Sequence, residues 1–310
     1  MVQKEVMMSS MNDNYHVSVM LHETVDALNI HPDGVYADCT FGGGGHSKEI
    51  LRRLGPNGKL VAFDQDADAV RNIPEDKRLL FIPNNFRYAE RFLRLYDVPL
   101  LDGIMADLGV SSHQFDEADR GFSYRYEADL DMRMDQRQNK TAADILNSYD
   151  AKQLQSIFSS YGEVTNSKTL AEAIVERRQA SAFTTISSLL ELLNPLSKGN
   201  PNRYYAQVFQ ALRIEVNEEF EALKDLLKQM VKIVKPGGRI AIITFHSIED
   251  RIVKQFFKDG GMEVEEDPLF GRRSKSPFKL IAKKPIEATA EEQKVNSRSR
   301  SAKLRIAEVI

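Results

Sequence analysis

The chain has 310 residues, 42% of them hydrophobic and 28% charged, a globular composition with length for two domains or one large decorated domain. Its single cysteine, Cys39, excludes an intramolecular disulfide framework and any cysteine-cluster metal site, and no other metal motif stands out. The formal charge of −3 announces no nucleic-acid partner. The opening MVQKEVMMSS lacks a signal-peptide core, and no stretch reaches the roughly 18 apolar residues of a membrane span. A soluble protein of a reducing, cytoplasmic compartment, away from membranes, is expected.

VYADC (35–39) is a short β-type run ending in the glycine cluster Gly42-Gly43-Gly44-Gly45. SKEILRRL (47–54) has helical spacing and is stopped by Gly55-Pro56-Asn57-Gly58. LVAFD (60–64) and LLFIP (79–83) are further strands, FRYAERFLRLY (86–96) is a helix, and LLDGIMADLG (100–109) is a fourth strand. Strands alternating with helices of this length predict βαβ units and a mostly parallel sheet.

The next buried strand, RIAIITF (239–245), begins 131 intervening residues after Asp107, although a crossover needs only a dozen or more. The intervening sequence is helical in pattern, with Asp150 as a candidate cap, so residues 116–212 are read as an inserted helical domain. The remainder, 1–115 and 213–310, then forms one discontinuous α/β domain. NEEFEALKDLLKQMVKIV (217–234) leads back to the sheet with Asn217 as the expected N-cap. A helix from Ser247 and strands FKLIAKK (278–284) and AKLRIAEVI (302–310) complete the reading.

In an open parallel sheet, ligands bind beyond the carboxyl ends of the strands at the switch in strand order. Three unusual clusters fall at such ends. Asp38-Cys39-Thr40-Phe41 leads into the four glycines and His46, where backbone without Cβ can approach a ligand closely. Asp64 follows the second strand, 19 residues beyond Gly45, as a ribose-binding carboxylate would. Asp64-x-Asp66-x-Asp68 also imitates a calcium loop, but Ala69 stands at its obligatory glycine and Pro74 lies inside it. Asp107-Leu108-Gly109-Val110-Ser111-Ser112-His113-Gln114 follows the fourth strand. No G-x-x-x-x-G-K-[ST] is present, and GGGGHS is not G-x-G-x-x-G. S-adenosylmethionine, which needs a ribose carboxylate but no phosphate cradle, suits this set best.

The strings HVSVMLHETVDAL, TFGGGGHS, DGIMADLGVSS, RGFSYR, LDMRMD, FQALRIEVN, GGRIAIITFHSIEDRIVK and NSRSRSAKLRIAE run from about His16 to Glu308. In these the chain resembles the bacterial small-subunit ribosomal RNA methyltransferase H family, which methylates N4 of a cytosine in 16S rRNA at the decoding centre. The resemblance implies a class I methyltransferase (Rossmann-like) sheet with an inserted all-helical domain that grips the RNA. It implies S-adenosylmethionine contacts from Gly44, Gly45, His46, Asp64, Phe86, Asp107 and Gln114. It also implies a partner, 16S rRNA in the small subunit or a late precursor; a homodimer is compatible with the sequence. Phe86 serves equally well as a core residue opening its helix. Two positions depart from the family pattern: Val164, where a second acidic residue usually follows Glu163, and His113, where proline is frequent.

The chemistry so implied is displacement at a sulfonium methyl by an exocyclic amine whose lone pair is delocalised. Such a weak nucleophile calls for alignment and for acceptors aimed at the amine hydrogens. Asp107, or a nearby backbone carbonyl, is the candidate acceptor. His246 is the candidate general base for the proton released. Ser247-Ile248-Glu249-Asp250 doubles as a capping box for the next helix. Residues 268–305 hold eleven lysines and arginines against three acids, a local net charge of +8 that leaves −11 elsewhere. Arg272, Arg273, Lys275, Arg298 and Arg300 in this run are the candidate RNA contacts. An enzyme acting on a protein or small molecule, or a non-catalytic RNA-binding factor, are the competing readings.

Overall fold

The computed structural model describes residues 18–260 and 276–310. Its sheet contains β1 (Val35–Asp38), β2 (Lys59–Phe63), β3 (Leu79–Ile82), β4 (Leu101–Asp107), β5 (Val234–Thr244), β6 (Phe278–Leu280), β7 (Ile286–Glu287) and β8 (Lys303–Val309). The order is β3-β2-β1-β4-β5-β8-β6, with β7 pairing β8. The first five strands are parallel and β8 runs antiparallel to β5, which is the class I methyltransferase arrangement expected. β1 is buried at all four positions, as a strand covered on both faces must be, which explains why VYAD reads as a continuous run rather than an alternating one.

Four helices flank the first half of the chain: α1 (Leu21–Ala27), α2 (Gly45–Arg53), α3 (Ala89–Leu95) and α4 (Ser112–Asp116). Five more, α5 (Ala142–Ser148), α6 (Ala151–Ser160), α7 (Ser167–Ala180), α8 (Ile186–Leu196) and α9 (Pro201–Asn217), lie between β4 and β5. They surround a hydrophobic cluster of their own that includes Leu146, Leu154, Phe158, Ile174, Leu189, Phe209 and Leu212. Thr141, Asp150 and Thr185 close capping boxes at α5, α6 and α8, so local sequence sets where each helix begins. α9 continues past residue 212 to Asn217. Val164, at one of the departures from the family pattern, is 2% exposed within this cluster, so its apolar side chain replaces a charge with packing.

Asn217 does not cap the next helix, α10 (Glu219–Ile233), as the sequence led one to expect. That place is taken by Glu218 at φ 49°, with no side-chain capping bond. Asn217 is instead buried at the end of α9. Its Oδ1 accepts from the Met134 backbone N–H at 2.7 Å, and its Nδ2 donates to the Met132 and Arg213 carbonyls at 2.8 Å. A tertiary demand for those backbone groups overrides the local capping preference. β5 starts earlier than expected, because Lys235-Pro236-Gly237-Gly238 bulges: Leu101 faces Val234 while Gly103 faces Arg239. After β5 come α11 (Ser247–Asp259) and α12 (Ala290–Val295). The expected strand over 278–284 shortens to Phe278–Leu280. Among the described residues no helix is long and apolar enough to cross a membrane.

Candidate active site

The switch in strand order lies between β1 and β4, and the groups beyond their carboxyl ends are mutually hydrogen-bonded. Asp38 ends β1 and is fully buried. Its carboxylate accepts from the Thr40 N–H at 3.0 Å and from the Ser47 hydroxyl at 2.7 Å. The loop then turns through Gly42 (φ 50°) and Gly44 (φ 77°), the latter preceding α2, in conformations that residues with a Cβ rarely adopt. A methyl group on Gly42 would meet only Ser111 and Thr40, at 3.9 and 4.0 Å, so the loop leaves room there. Gly45 serves a different end: a Cβ on it would overlap Ser18, so it admits the chain before α1.

Asp64 is bonded directly to this loop. Its Oδ2 accepts from the Gly42 N–H at 2.7 Å and its Oδ1 from the Asp66 N–H at 2.8 Å. Burial raises its pKa to about 6, against the opposing pull of those two N–H donors. Each oxygen keeps a lone pair for a further donor.

Asp107 ends β4 with its N–H donated to the Thr40 hydroxyl at 2.7 Å. Its Oδ1 is buried and has no hydrogen-bond partner among the described residues. Burial, with the negative charges of Asp38, Glu249 and Glu292, pushes the Asp107 pKa well above the usual carboxylate range. His46, on the first turn of α2, is buried beside it, with Nδ1 3.9 Å from Asp107 Oδ2. Burial lowers the His46 pKa although the Asp38 charge opposes this.

The other candidates are held differently. Gln114 closes a capping box on α4 with Ser111, and its Nε2 donates to Asp66 at 2.7 Å, so its side chain is engaged within the protein. Phe86 opens a 3₁₀ turn (Phe86–Tyr88) and is half-buried against the sheet's core. His246, not Ser247, is the N-cap of α11. The Glu249 N–H points to its Nδ1 at 3.5 Å, and its Nε2 faces Glu249 Oε1 at 3.1 Å. Nδ1 thus caps the helix, while Nε2 lies close to Glu249 Oε1 but is buried without a hydrogen-bond partner among the described residues. Ser247 Oγ donates to Glu163 of the helical insertion at 3.3 Å. Arg298 sits with its guanidinium 5.7 Å from the Phe115 ring centre, and Arg300 is exposed, its Nε donating to the Gln293 carbonyl at 3.4 Å. Arg272, Arg273 and Lys275 lie outside the described residues.

Two groups escaped the sequence reading, and a third was named there without a role. Glu292 reaches back to accept from the Met20 N–H at 2.8 Å and lends its charge to the Asp107 site. Asp38 was visible only as the last residue of its strand. Arg120 binds Asp66 and Asp68, and nothing in its spacing marks it.

A family model described as the MraW methylase family matches residues 13–310. The chain belongs to this family. Proteins named ribosomal RNA small subunit methyltransferase H are similar over nearly their whole length. One from Parabacteroides distasonis is 51% identical over 298 residues, covering 96% of this chain and 98% of its own. One from Phocaeicola vulgatus is 53% identical over 302 residues (97% and 99%), and one from Cytophaga hutchinsonii 54% over 298 (95% and 99%).

The cofactor is S-adenosylmethionine. The residues fit it on two observations: the unpartnered buried Asp107 Oδ1, and the room beside Gly42 next to a carboxylate with free lone pairs. Asp64 would take the ribose hydroxyls, and the Gly42–Gly45 loop would lie along the ligand. Asp38, Asp64 and Asp107 line the site with acceptor oxygens, and a ligand bearing sulfonium and ammonium charges would favour their ionised forms. When bound, the cofactor supplies an electrophilic methyl group.

Proposed function

We propose that this protein methylates the exocyclic N4 amine of a cytosine in 16S rRNA, at the decoding centre of the small ribosomal subunit, in the cytoplasm. The substrate class follows the names of relatives that share half of its residues from end to end. The observation that carries the chemistry is Asp107: a buried carboxylate oxygen without a partner, at the carboxyl end of the strand beside the glycine loop.

An aromatic amine nitrogen becomes acidic as it is alkylated, and its hydrogens need an acceptor from the start. In its ionised form Asp107 can accept an N–H hydrogen bond and then the proton, and the burial and neighbouring negative charges that raise its pKa make that carboxylate a stronger base. Asp107 is favoured over His246 for this role because it ends β4 beside the glycine loop, whereas His246 caps α11 through Nδ1. The target base would have to leave its stack to reach a carboxylate at this depth. The inserted helices, residues 116–212 by the sequence division, would hold the surrounding RNA, and the basic C-terminal run would contact phosphates.

Labelled methyl transfer should be compared on purified small subunits, naked 16S rRNA and total protein, with mass spectrometry of the modified nucleoside. N4-methylcytidine in ribosomal RNA is expected. Labelled protein, or a methyl group on another base, would overturn the reading.

A further inference from the structure

Among the described residues two arginines are buried, Arg120 and Arg305, and the reaction as derived uses neither. Arg120 ends a 3₁₀ turn (Ala118–Arg120) after α4. Its Nη1 donates to Asp66 Oδ1 at 3.4 Å and Asp68 Oδ2 at 3.1 Å. Its Nη2 donates to Asp66 Oδ2 at 3.1 Å and to the carbonyls of Arg133 and Met134 at 2.9 and 3.3 Å. One guanidinium therefore joins two segments that are far apart in sequence.

On one side stands the loop after β2. Asp66 is held by Arg120 through its side chain and donates its own N–H to Asp64 Oδ1 at 2.8 Å. On the other side stand residues 129–135. This segment is tied to the helical insertion: the Leu130 N–H donates to the Thr184 carbonyl at 2.9 Å, and Asn217 of α9 holds Met132 and Met134. Gln65 adds a second link, its Nε2 lying 3.3 Å from the Met134 sulfur.

We infer that Arg120 is a positioning residue that fixes the Asp64 carboxylate for the cofactor and seats residues 129–135 of the insertion beside it. The inference rests on Asp64 being the cofactor's ribose carboxylate. A buried ion pair adds little net stability, since desolvation offsets its attraction, so a purely stabilising role is poorly served by this arrangement. What arginine provides is geometry. Its planar fork aims several donors in fixed directions, and here they span two carboxylates and two carbonyls; the point charge of lysine cannot. Keeping the charge and losing the fork should leave the fold standing and displace Asp64.

The test is calorimetric titration of the full chain with S-adenosylhomocysteine for wild type, Arg120→Lys and Asp64→Asn. Ligand-free thermal unfolding and the kcat and KM for S-adenosylmethionine are measured alongside. Arg120→Lys is expected to weaken binding about tenfold to a hundredfold and to raise KM in proportion, with unfolding little changed. Wild-type affinity in Arg120→Lys, with Asp64→Asn weakened, overturns the role of Arg120. Wild-type affinity in both shows instead that Asp64 is not the ribose ligand. A loss that only tracks the folded fraction, read from the binding stoichiometry, also overturns it. Should Arg120→Lys fail to fold, Asp66→Asn is read by the same criteria.

Discussion

His46 Nδ1 lies 3.9 Å from Asp107 Oδ2, while His46 Nε2 is 3.1 Å from the Val19 carbonyl. A carbonyl can only accept, so Nε2 carries the hydrogen, and in the neutral ring Nδ1 presents a lone pair toward Asp107. At 3.9 Å the two share no hydrogen bond, and the neutral ring adds no positive charge that would hold the carboxylate ionised, which leaves Asp107 ready to take up a proton. Replacing Asp107 by Asn keeps the volume and abolishes the proton acceptor. Methyl transfer is expected to fall by about 10²–10³-fold in kcat, the scale seen when one preorganised polar group is lost from a reaction centre. Single-turnover kinetics at saturating cofactor would measure this, and a wild-type rate would remove Asp107 from the mechanism.

His246 is expected to behave as a cap. Asn is an equally good N-cap, so His246→Asn should keep methyl transfer within a few-fold of wild type. His246→Ala should cost about 1 kcal/mol of stability. Glu249, its partner, stays below the usual carboxylate range despite burial, drawn down by His246, the Phe245 N–H and Arg213. Rate measurements across pH with a parallel denaturant titration decide between the roles. A loss of a hundredfold in a folded His246→Asn protein would restore the histidine as general base.

The parallel sheet is legible in the sequence because each of its elements is local: VYAD, KLVAF and LDGIMAD carry their burial in a few consecutive residues, and Gly55 follows the end of α2 as expected. The carboxylates at the strand ends are legible for the same reason, since strand ends are where such a sheet binds ligands. Asn217 reads falsely as a cap because its surroundings come from Met132 and Met134, more than 80 residues away. Arg120 and Asp66 are separated by 54 residues, and Met20 and Glu292 by 272. Periodicity and spacing describe what a residue does within its own element. Bonds made by folding one segment onto another leave no such trace.

Asp64 makes cofactor binding depend on pH. Without ligand its pKa is about 6, against 3.8 for an ordinary aspartate. The folded protein therefore holds a proton that the unfolded chain sheds between those values, so this group lowers stability as pH rises through that window and not below it. Ribose hydroxyls donate to the ionised form and favour it. Affinity for S-adenosylhomocysteine should therefore strengthen as pH rises through about 6 and level off above 7. Titrations between pH 5 and 8 in wild type and Asp64→Asn measure this. An equally steep dependence in the variant would assign the effect to another group.

The basic C-terminal run divides by what its members touch. Arg305 is buried and bonded through Nε and Nη2 to the two oxygens of Asp250 at 2.7 and 2.9 Å, tying β8 to α11. Removing it strands a carboxylate, so Arg305→Ala should destabilise the fold by about 3 kcal/mol or more and affect RNA only through folding. Lys294 and Arg300 are exposed on the same segment. Substituting either by alanine should leave stability within about 0.5 kcal/mol. RNA affinity should then weaken evenly across sequences, and the salt dependence of log K should shrink by about one for each phosphate that is no longer neutralised. Filter binding to 16S rRNA over a range of salt, set beside denaturant unfolding, separates the classes. An unchanged salt slope in the Lys294→Ala/Arg300→Ala double variant would place the phosphate-binding groups elsewhere on the protein.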